Sequence, residues 1–195
     1  MNTLDYYNAN AEAYAKSTIT ADVSELYRHF EPLLPPGATI LDLGCGSGRD
    51  SKHFIDAGFH VTAVDGSAEL CKAAERYLSI PVKNILFQDL DYHSEFDGVW
   101  ACASLLHVPR RYIQQIIKQV NDAIKPGGHF YASFKYGTGE RESNGRYFSD
   151  YSERDLLWLS ELSHELLLHE WWLSGDVRDD RHGEKWLNVI WQRRY

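Results

Sequence analysis

Cysteine is scarce in this 195-residue chain: Cys45, Cys71 and Cys102 stand too far apart for the paired spacings of zinc sites or redox dithiols. They are expected to be reduced and structural, and no metal site is expected. Long apolar runs are also missing, so no stretch is apolar enough to cross a membrane. The first residues carry Asp5 and Glu12 where a signal peptide would need an apolar core, and a cytoplasmic location without a membrane partner is expected. Lys and Arg never run beyond a pair, and the net charge is −8, a balance that disfavours a phosphate backbone as partner. Hydrolase chemistry lacks its G-x-S-x-G elbow. Asp89, Asp91 and Asp97 are too scattered to argue for one magnesium site.

The chain has no internal repeat, and its sharpest punctuation is Leu34-Pro35-Pro36-Gly37, which stops any helix. Before it, Val23, Leu26, Tyr27 and Phe30 recur at helical spacing within Leu4 to Leu33. After it come short apolar runs, Thr39 to Leu43, His60 to Val64, Asn84 to Gln88 and Phe96 to Ala101, each read as a buried strand. Helical segments alternate with them: Asp50 to Ala57, Ser67 to Leu78 and Pro109 to Ile124. Such alternation predicts a mostly parallel sheet covered on both faces. Pro126-Gly127-Gly128 turns into a fifth strand, His129 to Lys135, and a glycine-rich loop from Gly137 to Gly145 follows. Ser152 with Asp155 resembles a capping box opening a helix through Leu162. Glu165 to Leu173 and Trp186 to Arg193 are the final strands, expected to pair antiparallel across a charged loop.

Asp42-Leu43-Gly44-Cys45-Gly46-Ser47-Gly48 falls where the first strand ends and a helix begins, the place where an open parallel sheet binds its ligand. Glycines let the backbone turn sharply and bring its N–H groups near an anionic group. Asp65, 21 positions beyond Gly44 at the end of the second strand, can accept hydrogen bonds from both hydroxyls of a ribose. The pair points to an adenosine-type ligand, the alternative being a tight turn and a helix cap. A dinucleotide fingerprint would place a third glycine at position 49, where Arg49 stands instead.

The spacing G-x-G-x-G with an acidic residue two positions upstream resembles the first motif of class I S-adenosylmethionine-dependent methyltransferases. From about Tyr6 onward the chain is similar to the small bacterial members related to the tellurite-resistance methyltransferase. The resemblance implies an α/β, Rossmann-like fold: a seven-stranded, mostly parallel sheet with an antiparallel last strand and helices on both faces. It implies one methyltransferase domain over 1–195, with an N-terminal helical lid segment (1–34) and a Rossmann-like core (35–195). The implied cofactor is S-adenosyl-L-methionine, with S-adenosyl-L-homocysteine as product.

On the same resemblance Gly44, Cys45 and Gly46 supply backbone contacts to the cofactor, Asp42 orients its amino-acid end, and Arg49 offers charge to its carboxylate. Asp65 holds the ribose, with Gly66 and Ser67 at its edge. Gln88, Asp89 and Leu90 take the adenine, Asp89 at the amino group, while Ala101 and Cys102 touch the cofactor after the fourth strand. Tyr7 and Tyr14 either cover the cofactor, where an aromatic face attracts a sulfonium, or serve as core. His107 is either a packed residue or a base, the latter only if the acceptor must lose a proton. Lys135 and Arg146 either meet an anionic acceptor or belong to a solvated loop. A small-molecule acceptor is expected, and oligomeric state stays open. A non-catalytic binding module and a nicotinamide-dependent reductase are the competing functions.

Overall fold

The computed structural model describes residues 2–178 and 183–195. Seven strands form one sheet in the order β3-β2-β1-β4-β5-β9-β8. The strands are β1 (Thr39–Leu43), β2 (His60–Asp65), β3 (Val82–Asn84), β4 (Phe96–Ala101), β5 (Ile124–Lys135), β8 (Leu166–Gly175) and β9 (Lys185–Arg193). β1 to β5 run parallel, and β9 lies antiparallel between β5 and β8. The order reverses between β1 and β4, which leaves a crevice beyond their carboxyl ends. This is the Rossmann-like class I methyltransferase architecture expected above.

Strand alternation assigns each side chain its layer. Asp42, Trp100, Tyr131 and Ile190 share one cross-strand row. Trp100, Tyr131 and Ile190 pack there with Phe30 of α2 (Ser24–Phe30) and Phe54 of α3 (Arg49–Asp56). The intervening row, Leu41, Val99, Phe130 and Trp191, belongs to the opposite core, with Ile113, Ile117 and Val120 of α5 (Arg110–Ala123). α4 (Ala68–Leu78) covers β2 and β3 through Cys71, Ala74 and Leu78. α1 (Thr3–Thr18) buries only Ala11 and is kinked at Asn10.

Two expected elements change. The third strand falls earlier than Asn84 to Gln88, because its ladder with β2 ends at Asp65–Asn84 and leaves later residues nothing to pair with. Phe87–Asp89 instead makes a 3-10 turn. The expected loop after β5 is a hairpin, β6 (Gly139–Ser143) and β7 (Arg146–Asp150), separate from the main sheet. Its turn, Asn144-Gly145, has φ of 50° and 75°, the two positive values that a primed hairpin turn requires. The Ser152–Asp155 capping box is present and leads into α6 (Leu156–Glu161).

Candidate functional site

The glycine loop is held by its own hydrogen bonds. The N–H groups of Gly44 and Cys45 both donate to the Val64 carbonyl, at 2.9 and 3.0 Å. Gly46 N–H donates to Asp65 Oδ2 at 2.9 Å, and Ser67 N–H to Oδ1 at 2.8 Å. The loop therefore does not offer these three N–H groups outward, which corrects the sequence expectation. None of the described residues donates to the Gly44 or Gly46 carbonyl, so both are available as acceptors. Burial pushes the Asp65 carboxyl up, against the two N–H bonds that favour its charge.

Gly44 is required by close approach as well as by its φ of +82°: a methyl group there would lie 2.5 Å from Ser104 Cβ. Ser104 Oγ in turn donates to the Leu43 carbonyl at 2.7 Å, clipping the loop after β4 onto the end of β1. Gly44→Ala is expected to lose about 2 kcal/mol of stability from overpacking and backbone strain. Urea unfolding reads this as a lower midpoint at unchanged slope. Close helix packing, which a dinucleotide fold assigns to a glycine at position 49, is met here by Gly48, whose added methyl would stand 3.0 Å from Leu78.

Behind the loop lies a buried polar cluster. Arg49 grips Asp50 through Nε and Nη2 at 2.6 and 3.0 Å, while Tyr27 and Trp100 donate to the same carboxylate at 2.7 and 2.9 Å. Burial alone would raise the Asp50 carboxyl, but the Arg49 guanidinium and these donors hold it below the usual carboxylate range. Asp42 accepts from Ser51 Oγ at 2.6 Å. Burial, and then the charge of Asp50, push its carboxyl up to about 8.

Two cavities open at the switch point, of about 530 and 470 Å³. The first has Asp65, Gly66 and Gln88 on an apolar shelf of Leu70, Leu86 and Phe87. The second reaches Cys45, Arg49, Cys102, Lys135, Arg146 and Phe148. They share walls at Tyr7, Tyr14, Gly44, Gly46, Ala103 and His107, so one bound molecule can reach from one into the other. α1 roofs this junction. Asn8 Oδ1 accepts from Ser67 Oγ at 2.7 Å, and Tyr7 hydroxyl bonds His107 Nε2 at 2.8 Å. His107 Nδ1 faces the Tyr147 carbonyl at 2.7 Å, so Nδ1 carries the hydrogen and Tyr7 donates to Nε2. Both ring nitrogens are thereby occupied, and burial pushes the imidazole down to about 4.

Of the expected cofactor residues, Tyr7, Tyr14, Gly44, Cys45, Gly46, Arg49, Asp65, Gly66, Gln88 and Cys102 line one cavity or the other. Asp42, Ser67, Asp89, Leu90 and Ala101 line neither. Strand alternation turns Asp42 toward α3 and Ala101 into the α5-side core. Leu90 is buried in that same core, Asp89 is exposed, and Ser67 caps α4. Lys135 lines the second cavity with its charge already met by Asp176 at 2.9 Å and by Glu184, beneath the Trp186 ring. It is therefore not a free cation for an acceptor. The Leu70-Leu86-Phe87 shelf and the Tyr27-Asp50-Trp100 cluster carry no motif and escaped sequence reading. The hairpin did not have to: Asn144-Gly145 is a turn signal.

Residues 40–128 match the methyltransferase domain family. The methyltransferase match takes in the glycine loop, Asp65, Cys102 and His107, and ends before Lys135 and Arg146. A 108-residue stretch is 34% identical to the ubiquinone biosynthesis O-methyltransferase of Xanthomonas axonopodis pv. citri, covering 52% of this chain and 44% of that protein. The chain spans about half the length of the curated relatives it matches. Among solved structures, 1,6-didemethyltoxoflavin-N1-methyltransferase from Burkholderia thailandensis, with bound 1,6-didemethyltoxoflavin and S-adenosylhomocysteine, superposes with a TM-score of 0.77 at 20% identity. That superposition covers 98% of this chain and 87% of the other. A TehB-like methyltransferase from Corynebacterium glutamicum gives a TM-score of 0.73 at 19% identity, over 95% and 99% of the two chains. These likenesses establish the methyltransferase fold.

Proposed function

We propose that the protein transfers a methyl group from S-adenosylmethionine to a small-molecule acceptor, releasing S-adenosylhomocysteine. The observation that carries this reading is the polarity of the glycine loop. Three of its N–H groups are committed to Val64 and Asp65, and the Gly44 and Gly46 carbonyls stay free among the described residues. A pyrophosphate needs N–H donors at this place, whereas an amino-acid ammonium needs acceptors. The Gly44 and Gly46 carbonyls therefore suit the ammonium of an aminoacyl sulfonium.

Other features of the site agree. A methyl group on Gly46 would meet only Tyr14, at 3.5 Å, so the space above the loop is a cradle that any side chain would fill. Asp65 keeps a lone pair on each oxygen for ribose hydroxyls, and Leu70, Leu86 and Phe87 give a base an apolar bed. Tyr7 and Tyr14, packed edge to face at 5.0 Å between centroids, stand at the junction where a sulfonium is attracted to aromatic faces. When bound, the cofactor supplies an electrophilic methyl group. The chain holds the acceptor in line and keeps water out. A tellurite-type oxyanion belongs among the acceptors to be screened.

Calorimetric titration with S-adenosylmethionine, S-adenosylhomocysteine and NADH tests the reading. Both sulfur ligands are expected to bind and NADH is not. Binding of NADH alone would point to a reductase. Cofactor binding without methyl transfer to any member of a broad acceptor panel would favour a binding module.

A further inference from the structure

Resting on the methyl-transfer reading, we propose that the acceptor is a small anion, ionised before it binds, and that Arg146 supplies its counter-charge. The cations lining the second cavity are not equivalent. Arg49 is paired bidentately with Asp50, Lys135 with Asp176 and Glu184, and Arg178 with Asp176 at 2.8 Å. Arg28 lies exposed on α2. No described carboxylate pairs with Arg146. Its Nε is buried without a hydrogen-bond partner, and its guanidinium sits over the Tyr6 and Phe148 rings at 4.6 and 5.2 Å. Its polar side-chain neighbour among the described residues is the neutral Tyr7 hydroxyl. A partly buried cation with an orphaned donor is costly unless a counter-charge answers it, and here the open side is the cavity.

The second observation is the lack of a proton acceptor beside Arg146. His107 has both nitrogens engaged, and the Tyr7 hydroxyl already donates to it. Burial pushes the Tyr7 and Tyr14 phenols and the Cys45 and Cys102 thiols up, so none of them stands ionised at neutral pH. The Asp50 carboxylate is saturated by four donated hydrogen bonds. An acceptor that had to lose a proton would find no base among these groups, and Asp22 and Glu25, which also line the cavity, lie exposed on its wall. An anion needs no base. Its lone pair forms the new bond to the methyl carbon, the electron pair of the broken carbon–sulfur bond stays on sulfur, and the negative and positive charges cancel.

Benzoate and benzamide, alike in shape and different in charge, are the probes, titrated into protein saturated with S-adenosylhomocysteine. Benzoate is expected to bind at least about tenfold tighter than benzamide, the scale of a charge-assisted hydrogen bond. Benzoate, and not benzamide, is expected to shift the Arg146 Nε–H resonance downfield. Arg146→Gln is expected to erase the preference while changing S-adenosylhomocysteine affinity less than about twofold, the charge-assisted bond being lost on the acceptor side alone. Arg146→Lys is expected to keep part of the preference. A wild-type protein that binds S-adenosylhomocysteine yet shows no preference for benzoate overturns the proposal, as does a preference that survives in Arg146→Gln. Failure to bind S-adenosylhomocysteine at all overturns the methyl-transfer reading instead.

Discussion

Asp65→Ala is expected to weaken S-adenosylhomocysteine binding by at least about a hundredfold, because two hydrogen bonds to a charged group are lost at the ligand. A second loss occurs in the protein: the Gly46 and Ser67 N–H groups, which Asp65 answers at 2.9 and 2.8 Å, are left without their acceptor. Asp65→Asn sharpens the test. Both carboxylate oxygens accept a backbone N–H, so an amide must turn its NH2 against one of them, and the loop is expected to loosen nearly as much as in the alanine variant. Calorimetry reads the affinity, and circular dichroism establishes that the variants fold. Binding by Asp65→Ala within a few-fold of wild type would remove Asp65 from the site.

Asp42→Asn is expected to stabilise the fold, and to do so increasingly as pH rises. In the unfolded chain this carboxyl ionises at the ordinary value, whereas in the folded protein burial and the Asp50 charge hold the proton on until about pH 8. Between those values the unfolded state binds fewer protons than the folded state, so wild-type stability falls as pH rises through the window. Asparagine keeps an oxygen for the Ser51 hydroxyl and has no proton to lose. The variant's advantage is expected to grow by about 3 kcal/mol from pH 4 to pH 9, a figure discounted from the full shift because relaxation and water entry soften the penalty on a buried charge. Urea unfolding at a series of pH values checks it. A difference independent of pH would show that Asp42 is ionised normally.

The sequence was most informative where backbone chemistry leaves a signature in residue type. Gly44, Gly46 and Gly48 all have positive φ, and Asp65 stands at the end of β2, so the loop and its carboxylate could be located without coordinates. The alternating strands and helices gave the sheet, and the antiparallel β9 was visible as a terminal strand pair. Direction was harder to read. Asp42 belongs to the motif by spacing, but whether it faces ligand or helix depends on which side of the sheet its row occupies. Lys135 reads as a free charge until Asp176, 41 positions away, is seen beside it. Asp89 stands one residue past Gln88 in a 3-10 turn, and although both are exposed only Gln88 lines the cavity. These outcomes rest on long-range packing, which single-sequence periodicity does not encode.

The hairpin built on Asn144-Gly145 lies outside the main sheet and outside the stretch that matches the methyltransferase family. It carries Arg146 and Phe148 to a cavity whose other walls come from α1, α2, the loops that follow β1 and β4, and the strands β5, β8 and β9. The layout makes the molecule modular: a twelve-residue ribbon could be exchanged, lengthened or re-charged while Asp65 and the glycine loop keep their own hydrogen bonds. Descendants of this chain can thus change their chemistry by editing an ornament, leaving the engine that every one of them inherits undisturbed.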